Sequence, residues 1–532
     1  MYSWGPPVPR IGENRVSQRF PGRRLSALRL TALCAAIAVV AAGAVFGWDR
    51  FEDARAASAA PSFFSGYVDV TATPTFAFED TAGTSEKSVV LSFIVADHDS
   101  PCEPSWGGFY GLGEAGTSMD LDRRIARFVQ NGGELSISFG GVANSELSTA
   151  CTDPVKLRSA YRKVIDRYKL TAIDLDIEGA NLSDTAAGAR RADAIASLQK
   201  ERKAAGSSLS VWLTLPVAPT GLTDEGTAAV RQMLDANVDL TGVNALTMDY
   251  NSGITSSKGM LDASVSAARA MHRQLAALYT AAGSDLGDQT LWRKIGLTPM
   301  IGQNDVPGEV FGLDAAQGLN AFAKEVGVGR MSMWSLNRDA TCGANYPDVH
   351  RVSDACSGVE QGGSRFATVL ARGIVGKAPS PSPVVTTPEP STPPVTDDPA
   401  TSPYPIWTPV ATYVADDRVV WHGNVYAAKY WTQDDVPDNP ALGASETPWK
   451  LIGPVLPGDR PVPPIEVPVG TYPEWSPTTT YLKGDRVLFG GRILESKWWN
   501  RDESPQAALE GSANSPWLKL KDAEVAKILA DR

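Results

Sequence analysis

The stretch Ile173-Asp174-Leu175-Asp176-Ile177-Glu178-Gly179 alternates apolar and acidic side chains and then breaks at a glycine. Strand side chains point alternately to opposite faces. An extended conformation therefore puts Asp174, Asp176 and Glu178 on one face, with Cα atoms about 6.7 Å apart stepwise, and Leu175 and Ile177 on the other. Three carboxylates this close raise one another's pKa, so at least one holds a proton near neutral pH. A protonated carboxyl beside a charged one is what general acid catalysis and stabilisation of a developing cation require. Taken alone, the pattern also fits a solvated acidic strand end or an oxygen-rich divalent-cation site. Its surroundings decide.

Working outward, short β-like apolar runs recur at Tyr67–Thr71, Ser88–Ala96, Glu134–Phe139, Thr171–Ile177, Leu209–Leu215, Gly242–Met248, Lys294–Ile301 and Arg330–Ser335. Amphipathic helical stretches fall between most of them: Leu121–Gln130, Pro154–Tyr168, Ala187–Ala204, Thr227–Ala236, Ser264–Ala281 and Ala315–Glu325. Eight strands with intervening helices predict an α/β fold, a (β/α)8 TIM barrel over residues 62–375, with an open doubly wound sheet as the alternative. On such a barrel chemistry sits at the carboxyl ends of strands, where the fourth run ends in its acids.

After the barrel, Pro makes up more than a third of the stretch from Pro379 to Pro405, which predicts a semi-rigid extended linker over 376–403. At about 3.1 Å per residue it reaches as much as about 80 Å. A second Pro-rich stretch covers 454–471. The segments 404–453 and 472–521 match at a constant offset of 68. Trp407, Tyr413, Asp417-Arg418-Val419, Gly423, Tyr430-Trp431 and Pro448-Trp449 recur as Trp475, Tyr481, Asp485-Arg486-Val487, Gly491, Trp498-Trp499 and Pro516-Trp517. They are a duplicated, small, all-β module built around Trp and Tyr. Adjacent residues on a strand face opposite sides, so one ring of each pair Tyr430-Trp431 and Trp498-Trp499 is expected in the core and the other free to stack on a flat sugar face.

Segment 1–30 is basic, with six Arg against Glu13 for a net +5; the chain totals −11, which leaves −16 for the rest. An acidic body without clustered Lys or Arg argues against nucleic acid as a partner. Four scattered His, no CxxC or HExxH and no GxxxxGK[ST] predict no metal site and no cofactor. Residues 31–48 are apolar or small and follow the basic flank, so they read as a membrane anchor or as the core of a signal peptide cleaved near Ala54-Arg55-Ala56. Either reading exports the body, as a secreted protein or one held on the outer face of the cytoplasmic membrane. Cys102, Cys151, Cys342 and Cys356 lie in the exported part, where two disulfides, paired as nearest neighbours, are expected.

The barrel resembles glycoside hydrolase family 18, the chitinases and their relatives, whose fourth strand carries D-G-x-D-x-D-x-E. Ser136-Ile137-Ser138-Phe139-Gly140-Gly141 is similar to the family's S-x-G-G third strand, spaced one residue wider. Leu246-Thr247-Met248-Asp249-Tyr250 resembles its sixth strand, and Met331-Ser332-Met333-Trp334 its eighth. The resemblance implies that Glu178 protonates the glycosidic oxygen and that Asp176 orients the substrate's own N-acetyl group, the internal nucleophile. It further implies that Asp174 shares a proton with Asp176, that Asp249 or Tyr250 binds the acetamido group, and that Trp334 stacks under the sugar. Thr171-Ala172 depart from the family's Asp-Gly, which implies a shifted pH profile. The gap from Ile301 to Arg330, between strands seven and eight, is too short for an inserted wall domain, which implies an open cleft and internal cleavage. Both repeats resemble chitin-binding modules of the combined families five and twelve. The expectation is an exported, monomeric chitinase acting on chitin or N-acetylglucosamine oligomers. A non-catalytic surface lectin, an endo-N-acetylglucosaminidase on N-glycans and a peptidoglycan enzyme are the alternatives.

Overall fold

The computed structural model describes Thr31, Asp53 and residues 61–530, apart from 82–83, 85, 252–253, 255, 345–350, 384–394, 462–466, 510–513 and 521. Apart from Thr31, segment 31–48 lies outside the described residues, as does Ala54-Arg55-Ala56; among those described no helix is long and apolar enough to cross a membrane. Ala60–Arg532 forms a compact unit of its own.

The strands of the barrel are β1 (Phe63–Phe64 and Gly66–Asp69, interrupted at Ser65), β2 (Ser88–Ala96), β3 (Glu134–Gly140), β4 (Ala172–Asp176), β5 (Ser210–Ala218), β6 (Leu240–Leu246), β7 (Ile295–Thr298) and β8 (Arg330–Met331). Each pairs in parallel with the next. β1 closes the ring: Phe63 and Phe64 pair with Arg330 and Met331, while Gly66–Asp69 pair with β2. The doubly wound alternative, which leaves two open edges, is thereby excluded. Strands buried on both faces read as near-continuous apolar runs, and Ser88-Val-Val-Leu-Ser-Phe-Ile-Val-Ala96 is such a run.

Helices α1 (Leu121–Gln130), α2 (Pro154–Arg167), α3 (Thr185–Ala204), α4 (Asp224–Asp235), α5 (Ser257–Ala281) and α6 (Leu313–Val326) pack outside. Their ends follow local chemistry. Asp153 accepts from the backbone N–H groups of Val155 and Lys156 with Pro154 in the first turn, and Gly327 ends α6 in the left-handed region. Among the described residues, the crossover from β1 to β2 carries only the 3₁₀ turn Phe78–Asp80. That turn is strapped to α1 by an edge-on Phe78–Phe128 contact and by Arg124, which donates to Glu79 at 2.9 Å.

Both disulfides form as expected, Cys102–Cys151 and Cys342–Cys356. The first ties the loop after β2 to the short helix Leu147–Ala150 after β3, fixing two loops on the rim where the acids lie.

The repeats fold alike. Strands Thr412–Tyr413, Arg418–Trp421, Asn424–Ala428, Thr432–Gln433 and Trp449–Pro454 of the first reappear, at the offset of the sequence repeat, as Thr480–Tyr481, Arg486–Phe489, Arg492–Ser496, Asn500–Arg501 and Trp517–Lys519. Trp407 and Trp449, and Trp475 and Trp517, serve the small cores. The aromatic pairs do not divide between core and surface as expected. Tyr430 and Trp431 are 52% and 49% exposed, and Trp498 and Trp499 are 46% and 63% exposed. The reason is local: the strands end at Ala428 and Ser496, so the pairs lie in irregular backbone beyond them, where pleat alternation no longer applies.

The Pro-rich linker does not hold the first module at a distance. Ala378 N–H donates to Glu134, and the Ser380 hydroxyl lies 3.2 Å from Leu135 N and from Gly133 O, which lays the start of the linker across the amino-terminal end of β3. At its far end Asp397 accepts from the N–H groups of His422 and Gly423. The module itself rests on α1.

Candidate active site

β4 is buried along its length, with Asp174 1% and Asp176 3% exposed. Both face the barrel interior, as the alternation predicts. Asp174 lies deeper and is fully engaged: Oδ2 accepts from the Tyr67 hydroxyl (2.8 Å) and Ser138 (2.7 Å), and Oδ1 from Thr214 (2.7 Å) and Arg330 (2.6 Å). Four donors, one a guanidinium, thus satisfy both Asp174 oxygens. Burial raises the Asp176 pKa well above the carboxylate range; the charges of Glu178 and Asp174 add to this, and Arg330 opposes it. One of its oxygens, Oδ1, is buried without a hydrogen-bond partner. It is a free acceptor at the centre of the site.

Glu178 lies two residues past the end of β4, at the start of a short helix, Gly179–Ser183. It is half-buried, and burial first, then the charges of Asp249 and Asp305, push its pKa up to about 7. The sign is that of an acid that stays protonated into the neutral range. Removing this charge has a pH-dependent consequence for stability. A group with a raised folded-state pKa favours folding in its protonated form, and that advantage is lost as pH rises from the ordinary glutamate range through about 7. Glu178→Gln, which cannot ionise, is therefore expected to gain melting temperature over the wild type at pH 8 and to match it near pH 4.5. A gain independent of pH would contradict the burial of this charge.

The sixth-strand pair separates. Asp249 follows β6 in a left-handed conformation (φ 49°); its carboxylate accepts from Val306 N–H at 3.0 Å, and burial raises its pKa. It is the member that acts on Glu178. The Tyr250 hydroxyl instead contacts Ser264 on α5 at 3.2 Å, and its N–H donates to Glu309 at 2.9 Å. Tyr250 thus anchors the loop that carries Asp249. The segment from Asn304 to Glu309, closed by the two-stranded pairing of Gly302–Gln303 with Val310–Phe311, supplies Asp305 and the other partners of that loop. This small hairpin is what stands between β7 and α6.

Trp334 is half-buried and continues β8 past Met331, bridging to Met300 in parallel. It stacks on Phe93 at 5.4 Å with planes 24° apart, and Tyr67 packs against it at 6.1 Å. Together they make an aromatic floor beside the acids. Sequence reading did not single out Phe93, Tyr67, Thr214 or Arg330. Their signal was polar or aromatic residues at inward positions of otherwise apolar runs. Arg330 is the most consequential, 2% exposed and sandwiched between the rings of Tyr67 (5.2 Å) and Trp212 (5.5 Å). On the third strand, Ser138 is the serine that reaches Asp174, and Ser138-Phe139-Gly140-Gly141 needs no widened spacing. Gly140 has φ 103°, and a Cβ there would meet the Asp176 carbonyl oxygen at 2.0 Å.

A closed parallel barrel with three stacked acids at the end of β4 defines the class of fold and the place of its chemistry. No profile of a known protein family matches the chain. It is 33% identical over 267 residues to a probable bifunctional chitinase/lysozyme of Escherichia coli, covering 49% of this chain and 29% of that protein. It is 33% identical over 256 residues to Endochitinase 11 of Metarhizium anisopliae, covering 47% of each. The chain thus spans less than half the length of these curated relatives. Among solved structures, the catalytic domain of a hyperthermophilic chitinase from Pyrococcus furiosus is similar with 29% identity and a TM-score of 0.49, over 58% of this chain and 93% of that one.

Proposed function

We propose that this chain is an exported chitinase of the family 18 type, hydrolysing β-1,4 bonds of N-acetylglucosamine polymers with retention and with the substrate's acetamido group as nucleophile. The observation that carries the reading is the pairing of a buried Asp176, its carboxyl pushed up by burial and one oxygen unpartnered, with a half-buried Glu178 pushed up to about 7. Glu178 gives its proton to the glycosidic oxygen as that bond breaks. The acetamido carbonyl oxygen closes on the anomeric carbon, its N–H accepted by Asp176 Oδ1. Water then attacks the same carbon from the vacated side, giving its proton back to Glu178, and the configuration is retained. Asp249, whose charge acts on Glu178, hydrogen-bonds the acetamido group. Trp334 lies beneath the ring. Two disulfides suit an oxidising, external compartment. The intact acids favour hydrolysis over the lectin alternative.

The deciding experiment is product release from a soluble N-acetylglucosamine hexamer by the full chain. Short oligomers establish the activity; none, with the hexamer still bound, returns the lectin. A hairpin rather than a domain between β7 and α6 leaves the cleft open, so internal products, dimers to tetramers together, are expected. Tyr430, Trp431, Trp498 and Trp499 are proposed as the rings that hold insoluble polymer. The double variant Trp431→Ala/Trp499→Ala is expected to lose affinity for insoluble chitin by about tenfold or more, as loss of linked sites predicts, while hexamer turnover stays unchanged. Equal loss on both substrates would contradict the assignment.

A further inference from the structure

The two repeats use the same face in two different ways. In the second, Leu488, Ile493 and Leu520 form an apolar patch covered by Val525, Ile528 and Leu529 of the carboxyl-terminal helix Asp522–Ala530. The matching patch of the first is Val420, Val425 and Ile452. Here α1 of the barrel lies alongside. Arg123 makes a two-pronged ion pair with Asp459 (2.6 and 3.1 Å) and donates to Pro454 O (3.2 Å); Arg127 donates to Leu451 O (2.6 Å); and Arg418 reaches Asp120 (2.6 Å). The Arg123 and Asp459 side chains are 9% and 15% exposed, a largely desolvated pair.

Comparison of the repeats at offset 68 shows which residues permit this. Arg486 of the second repeat is held within its own sheet by Glu495 (2.9 Å). The first repeat has Ala427 at the Glu495 position, which frees Arg418 for Asp120. Gly453 lies so close to α1 that a Cβ would meet the Arg123 carbonyl oxygen at 2.4 Å; its counterpart is Lys521. The docked copy lacks both side chains that the second repeat carries at these positions.

Helix α1 runs back from the carboxyl end of β2, so Asp120 lies at the rim of the acids and Gln130 at the opposite end. Arg418 binds at Asp120, whereas His422, Gly423 and Pro454 border a crevice with Gln130. The first module therefore spans α1 along its length and reaches the rim at Asp120.

We propose that the first module is a fixed second binding site on the flank of the barrel, engaging the same polymer that enters the cleft, while the second is a self-capped module that binds independently. This rests on the polymer-hydrolase reading. The test uses the full chain with spin labels on unnatural side chains at the exposed positions 155 and 442, and the variant Gly453→Lys, which restores the residue of the second repeat. A narrow interlabel distance distribution is expected in the wild type and a broad one in the variant. Hydrolysis of insoluble chitin should fall about tenfold in the variant, the loss of a preorganised second site, with hexamer turnover unchanged. Arg123→Glu should behave in the same way, and adding Asp459→Arg should restore both readouts, which separates undocking from misfolding. A distribution as broad in the wild type as in the variant overturns the docking. A broad variant with undiminished activity on insoluble chitin overturns its role in substrate engagement. Failure of the wild type to cleave the hexamer overturns the hydrolase reading and the substrate role with it, whereas the distances decide the docking in either case.

Discussion

Replacing Glu178 by Gln is expected to lower hexamer turnover by about 10²–10⁴-fold, the range for removing a positioned general acid, with hexamer affinity little changed. The geometry explains both halves. Amide and carboxyl are close in shape, so the half-buried pocket between Asp249 and Asp305 keeps its form, but the proton for the leaving oxygen is gone. On the proposed mechanism the same group sets the alkaline limb of the wild-type rate profile: turnover is expected to fall as pH rises through about 7, the value to which burial pushes Glu178. Single-turnover rates across pH 5 to 9 check both statements. Hydrolysis retained in the variant, or a wild-type rate that climbs through neutral pH, would remove Glu178 from the role.

The second large effect concerns Arg330. In Arg330→Met the Asp174 carboxylate keeps its three hydroxyl donors and loses its counter-charge in a fully buried site. Breaking one side of a buried ion pair costs about 3–5 kcal/mol. A matching loss in urea denaturation of the barrel is expected, with part of it recovered by adding Asp174→Asn, because the uncompensated charge is then gone. Arg330 also opposes the rise of the Asp176 pKa. Its removal should therefore move the acidic limb of the rate profile upward, a readout that a purely structural arginine would leave in place. Recovery by Asp174→Asn no greater than additive would show that the two side chains are not coupled.

Much of the barrel could be read in advance because its signals are local. Ser88–Ala96 and Leu121–Gln130 were bounded to the residue by the switch between a continuous apolar run and a helical stripe. The acids were legible because alternation places Asp174 and Asp176 on one face of β4 and extended backbone carries on past the strand to Glu178. What escaped depends on partners distant in sequence. Arg330 stands at the head of an apolar run 156 positions from Asp174, and nothing near it announces an inward guanidinium. Tyr67 and Thr214 reach the same carboxylate from two other strands. The aromatic pairs were misassigned because alternation was extended beyond the ends of their strands. Docking of the first module was hidden by the linker's composition, which describes how a free chain behaves and says nothing of a chain pinned at Glu134 and Asp397.

The distance between the third and fourth strands at the acids is set by bare backbone. Gly140 brings its Cα against the Asp176 carbonyl, and Gly141 N–H donates to that oxygen at 2.8 Å. No side chain fits between them. Attempts to retune specificity by library mutagenesis can therefore exploit the rim loops and the aromatic floor freely, but substitutions at this glycine would displace Asp176 and its neighbours before altering what they recognise. Any improved variant recovered from such a screen should carry it unchanged.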